Sequence, residues 1–327
     1  MHTRFGAWAL ALLLAAPVAA GARTTGPDEH DHQGRKDDRQ TVDAPPQVKT
    51  FNVGAGGSLK LSNVAGDVRV TGGGGTEIKV EAKIHGKGST DAEARAQFDS
   101  VKVDMRQNGS RVDVETTHER HSRAWVDYTV VVPTGTAIDV RSVSGDVYVS
   151  DVGGSARAET VSGDVTATGL AQVAALRSVS GDVHASGLSS SGAVSFNSVS
   201  GDVSVKTLKA GSATFETVSG DARVDGCECG GAQSSSVSGD VVYTGTLAKG
   251  GRYNFKSHSG DIVLVTPSGF ELDAATFSGD IRVDGLTGQG ETDRPGPGRT
   301  RRGTVGGGGA VVEAKTFSGD LRINRPK

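Results

Sequence analysis

From residue 139 onward, apolar and polar residues alternate in short runs that restart every 18 to 21 residues. The clearest runs follow an aspartate: Val147 and Val149, Val203 and Val205, Ile262 and Leu264, and Leu321 and Ile323 are apolar, while Tyr148, Ser204, Val263 and Arg322 stand between them. Alternation at period two predicts strands with one face buried. A second short alternating run precedes each aspartate, for example at 156–160, 194–198, 213–217 and 272–276. Two strands and two turns fit into about 19 residues, a repeat too small to bury its own apolar face, whereas stacked copies share a core and pair their backbones in parallel. The pattern predicts an all-β fold, a parallel β-solenoid of two-strand rungs.

The register of the repeat is marked by Ser-Gly-Asp, which ends at Asp146, Asp164, Asp182, Asp202, Asp221, Asp240, Asp261, Asp280 and Asp320. The last interval is 40 residues, one rung plus an insertion at 287–309 that is rich in Gly, Pro and Arg and reads as a surface loop. Glycine suits a positive φ or a close approach by the next rung. Serine and aspartate satisfy turn amides. Ser or Thr also stands two residues before each Ser-Gly-Asp serine, so stacked hydroxyls are expected to bond from rung to rung. The residue between them is Val143, Val161, Val179, Val199, Val218, Val237, His258, Phe277 or Phe317, a mixture that predicts a partly buried corner.

The rest of the chain divides by composition. Arg4, an apolar run from Ala7 to Ala20 and the small residues that follow read as a signal peptide over 1–22. The run is shorter than the ~20 residues of a spanning helix, and no later segment could cross a bilayer. Residues 23–46 read as a disordered polar linker; its Asp28-Glu29-His30-Asp31-His32 is either a solvated acidic tail or a weak transition-metal ligand set. Residues 47–138 read as an N-terminal β-rich part and cap of the same solenoid, with a short helix near 90–100, and 139–325 as the Ser-Gly-Asp solenoid.

The 48 glycines and 5% aromatic residues call for a thin core of small side chains. A formal charge of −3 gives no basic field for nucleic acid. The aspartate column carries the one open question of chemistry. In register, carboxylates about 5 Å apart repel unless compensated, by backbone amides and hydroxyls, by bound calcium as a cation ladder, or by use in a catalytic site. His258 lies among Ser257, Ser259 and Asp261, but neighbours along a strand point to opposite faces, which argues against a Ser-His-Asp relay. Cys227 and Cys229 stand in Cys-x-Cys spacing, either a small disulfide or two thiols filling a turn, with metal binding as a third use.

The signal peptide, a strand ending in Val-Pro-Thr-Gly at 132–135, and the repeated Ser-Val-Ser-Gly-Asp-Val resemble the bacterial "putative adhesin" family, long catalogued as a domain of unknown function. The similarity spans roughly 47–325 and includes the late Gly-rich insertion before a final Thr-Phe-Ser-Gly-Asp-Leu. It implies an envelope β-solenoid with an adhesive or envelope-related role, and it supplies no catalytic residues. The expectation is an exported structural, adhesive or binding scaffold, periplasmic or secreted, without catalytic activity or cofactor. Its partner is an envelope or surface ligand, protein or polysaccharide. The alternatives are a β-helix-type carbohydrate-active enzyme and an envelope-signalling accessory protein.

Overall fold

The computed structural model describes residues 40–287 and 298–326, so the expected signal peptide and the Asp28–His32 cluster lie outside the described residues. Each repeat forms a strand before the Ser-Gly-Asp corner and another after it, as in Ala137–Ser144 and Val147–Ser150. Corresponding strands of successive repeats pair in parallel, with apolar residues in register. After the corner, Val147, Val165, Val183, Val203, Ala222, Val241 and Ile262 form one buried column. Before the corner the matching column contains Leu176, Phe196, Phe215, Ser234 and Phe255. Alternate residues line these columns because successive side chains on a strand leave opposite faces.

The order of stacking departs from the order of the sequence at both ends. Leu321 pairs with Ile262 on one side and with Ile281 on the other, so the last rung lies between two rungs that precede it in the chain. At the N-terminal end Val68 pairs with Val147 and with Tyr128, which places the first rung between the second and the third. Each terminal rung thereby gains parallel partners on both edges.

Antiparallel strands close the outer rungs. At the C-terminal end Arg299–Val305, inside the segment expected as a loop, pairs with Phe270–Ser278. Between the two the chain forms the short strands Ile281–Val283 and Leu286–Thr287, and the arginines on Arg299–Val305 discourage further edge pairing. At the N-terminal end Glu77–Gly88 pairs antiparallel with Ala124–Pro133 and carries Gln47–Asn52 and Gln40–Asp43 on its other edge. Residues 40–43, within the segment expected as a linker, are therefore a strand. His85 Nδ1 stands 2.7 Å from Asp43 Oδ1 and its Nε2 3.1 Å from Asp127 Oδ2, fastening that strand to the stack. The helix Asp91–Ala96 begins where expected, with Thr90 Oγ1 accepting the Glu93 N–H at 3.2 Å and the Glu93 carboxylate accepting the Ser89 N–H at 2.9 Å.

Candidate functional site: the Ser-Gly-Asp corner

Three columns of polar atoms run along the corner, and rung-to-rung hydrogen bonds occupy much of each. The backbone N–H of each corner aspartate donates to Oδ1 of the aspartate one rung away. Asp164 donates to Asp146 at 2.9 Å, Asp182 to Asp164 at 2.8 Å, Asp202 to Asp182 at 2.8 Å and Asp221 to Asp202 at 2.8 Å. The same bond links Asp240 to Asp221, Asp261 to Asp240, Asp320 to Asp261 and Asp280 to Asp320. It extends beyond the nine Ser-Gly-Asp copies, through Asp146 to Asp67 and Asp67 to Asp127, each at 3.0 Å. Hydrogen bonds to an ionised acceptor are the stronger kind, and here they offset the repulsion between stacked carboxylates.

The buried Ser or Thr column donates to the glycine carbonyl of the neighbouring rung: Thr160 to Gly145 at 3.1 Å, Ser178 to Gly163 at 2.8 Å, Ser198 to Gly181 at 2.8 Å and Thr217 to Gly201 at 2.9 Å. Glycine is required at this level. Gly201 has φ of +153°, and a Cβ there would meet the Gly181 carbonyl oxygen at 2.3 Å. The strand geometry thus places a carboxylate, a hydroxyl and a glycine where each completes its neighbour.

The second carboxylate oxygens have varied partners. Tyr148 donates to Asp146 Oδ2 at 3.0 Å, and this bond, ahead of burial, raises the phenol above its ordinary value. Arg69 lies over the Tyr148 ring at 4.6 Å. Arg322 bridges Asp261 Oδ2 at 3.0 Å and Asp320 Oδ2 at 2.9 Å, and Arg299 contacts Asp280.

His258 is exposed and stacks on Phe317, with centroids 5.0 Å apart and planes 11° from parallel; Phe317 in turn stacks on Phe277 at 4.8 Å. Asp261 is held by the Asp320 N–H and by Arg322, so the histidine and the aspartate each have partners outside a Ser-His-Asp relay. Cross-rung charge pairing is seen between Arg141 and Glu159 at 3.7 Å, and the Asn197 amide donates to Glu216 at 3.0 Å. Cys227 and Cys229, both buried, are joined as a disulfide with Cα atoms 5.6 Å apart.

A family model described as Toastrack DUF4097 matches residues 57–324. The chain belongs to this family. The Toastrack fold is a β-solenoid, and the Toastrack region of this chain takes in every rung from the one containing Asp67 to the one containing Asp320. A comparison with curated proteins found no match. Among solved structures, a protein named "putative adhesin" from Bacteroides fragilis NCTC 9343 aligns over 86% of this chain and 97% of its own, at 12% identity and a TM-score of 0.42. A "putative lipid binding protein" from Parabacteroides distasonis ATCC 8503 covers 86% and 97%, at 11% identity and a TM-score of 0.42. A "putative cell adhesion protein" from Clostridium sporogenes ATCC 15579 covers 86% and 100%, at 10% identity and a TM-score of 0.20.

Sequence reasoning placed the corner columns but missed two features. One is Asp127, whose rung lacks Ser-Gly; the only signal was the alternating run that follows it. The other is a groove of about 600 Å³ on the outer face of the strands before the corner, lined in part by Thr214, Gln233, Arg252, Asn254 and Glu313. There the Asn254 amide donates to Glu313 Oε2 at 2.9 Å. No helix among the described residues is long and apolar enough to cross a membrane.

Proposed function

We propose that this Toastrack protein is an exported, non-catalytic binding scaffold of the bacterial cell envelope, periplasmic or secreted, whose ligand is an envelope or surface protein or polysaccharide. The observation that carries this reading is the use made of the repeated polar groups. One oxygen of every corner aspartate from Asp67 to Asp320 except Asp280, which Arg299 contacts instead, accepts a backbone N–H, and Ser or Thr hydroxyls donate to glycine carbonyls along the same corner. The repeated carboxylates and hydroxyls thus build a rigid support, and recognition falls to the rows of outward side chains beside it. The polar groove around Gln233, Asn254 and Glu313 offers hydrogen-bonding groups at successive rungs, a format that suits an elongated polar ligand. Export is supported by the apolar run at 7–20 with its small-residue end.

Fractionation of cells expressing the full chain tests the location; recovery in the cytoplasm would sink the export reading. Incubation with a broad polysaccharide panel, with and without calcium, tests the absence of catalysis, and turnover of any member would overturn it. Binding to envelope fractions that weakens in Gln233→Ala and Glu313→Ala would place the ligand in the groove.

A further inference from the structure

The corner carries an unpartnered apolar ridge. Of the ten large hydrophobic side chains exposed among the described residues, seven lie in this single column: Val143, Val161, Val179, Val218, Val237, Phe317 and Phe277, each 38% to 51% exposed. Val199 and His258 complete the row, and the stacked rings of His258, Phe317 and Phe277 end it. Concentration of exposed apolar side chains in one line marks an interaction surface.

We propose that this ridge is where two copies of the chain associate side by side, with their rungs running in the same direction. The row is self-complementary, because each level offers a compact apolar group at the rung pitch of about 4.8 Å, and a second copy reproduces that pitch over the whole length. Charge decides the direction. One flank of the ridge is the aspartate row, in which Oδ2 of Asp164, Asp202 and Asp240 has no partner among the described residues. The other flank holds Arg141, Arg177, Lys256 and Lys315 against Glu159 and Glu216, and Arg177 and Lys256 form no ion pair among the described residues. A two-fold axis perpendicular to the stacking direction would set aspartate row against aspartate row. A two-fold axis along it sets each aspartate row against the flank with the excess of cations.

The buried area is small. Eight steps of about 4.8 Å and a width of about 10 Å give roughly 400 Å² per copy, half the roughly 800 Å² per partner of a stable complex. The association is therefore weak and reversible.

Sedimentation velocity of the purified protein from micromolar to millimolar concentration is expected to show a monomer–dimer equilibrium that weakens with added salt. The double variant Phe277→Ser/Phe317→Ser and the variant Val161→Ser/Val218→Ser, each with an unchanged β-sheet circular dichroism spectrum, are expected to weaken it at least tenfold. Direction is read by oxidative cross-linking: Val161→Cys is expected to form a homodimeric disulfide, whereas a mixture of Val161→Cys and Phe317→Cys proteins is not expected to form the mixed one. Monomer at all concentrations, dimerisation untouched by the ridge variants, or a mixed cross-link in place of the homodimeric one would each overturn the proposal. So would a monomeric protein that floats with phosphatidylcholine vesicles while the ridge variants do not, an outcome that assigns the ridge to lipid.

Discussion

The backbone N–H of Asp320 donates to Oδ1 of Asp261 at 2.9 Å across a sequence separation of 59 residues. Oδ1 of Asp320 then accepts the N–H of Asp280, so the final rung separates two rungs that are adjacent in the sequence. Ser318 accordingly faces Ser259 on one side and Ser278 on the other. The double variant Ser259→Cys/Ser318→Cys is expected to form a disulfide on mild oxidation. Ser259→Cys/Ser278→Cys is not, since two rung steps of about 4.8 Å exceed the roughly 7 Å reach of a disulfide. Mass mapping after proteolysis distinguishes the two, and the reverse result would restore sequential stacking.

The aspartate ladder should respond to the loss of an acceptor rather than of a charge. Asp164→Ala leaves the Asp182 N–H without the oxygen it now meets at 2.8 Å, and is expected to cost about 1–3 kcal/mol in urea unfolding. Asp164→Asn keeps an oxygen at that place and should cost less.

Gly181→Ala should be worse than either. The backbone there has φ of +150°, and the added Cβ would lie 2.1 Å from the Gly163 carbonyl oxygen. A loss of more than about 3 kcal/mol is expected.

Calcium should leave the melting temperature where EDTA leaves it. The ladder commits one oxygen of each carboxylate but Asp280 to an N–H, while calcium asks for six to eight oxygens around one centre. A calcium-dependent rise would turn Asp146 to Asp320 into a cation ladder.

Ser234 occupies a core column between Phe215 and Phe255, fully buried and with no partner for its hydroxyl among the described residues. Ser234→Ala removes the unsatisfied group with little change in volume, and a gain of about 1 kcal/mol is expected in thermal or urea unfolding.

Stability should fall on the alkaline side. Burial pushes the Tyr128 phenol up to about 12, against the lowering effect of its hydrogen bond with Thr116, and burial also raises Tyr243 and Tyr253. Above the ordinary tyrosine value of 10.0, the unfolded chain loses phenolic protons that the folded chain keeps. Stability is therefore complete below that value and declines as pH climbs toward about 12. Urea midpoints measured across this window should drop, and Tyr128→Phe should make the drop shallower.

The repeat was legible because its corner uses three residue types with separate duties. Glycine is needed by sterics, aspartate accepts an amide, and the earlier Ser or Thr donates to a carbonyl, so none drifts without breaking a bond to the next rung. The half-exposed corner was legible from a column that holds valine, histidine and phenylalanine. The stacking order was not. Ile262, Ile281 and Leu321 present the same face, and alternation alone cannot say which of them meets which. The stack of Phe277 on Phe317 was hidden for the same reason, as was the strand Arg299–Val305, whose charged residues resemble a loop until an edge needs covering.

Placing the last rung between earlier ones also changes how the chain must be completed during synthesis. A stack built in sequence order could close rung by rung as each repeat emerged. Here the rung at Ile281 cannot reach its place beside Leu321 until the final residues have arrived. The C-terminal stretch 310–324 thus acts as a keystone, and a chain delivered without it would leave two β edges apart and open to unwanted pairing.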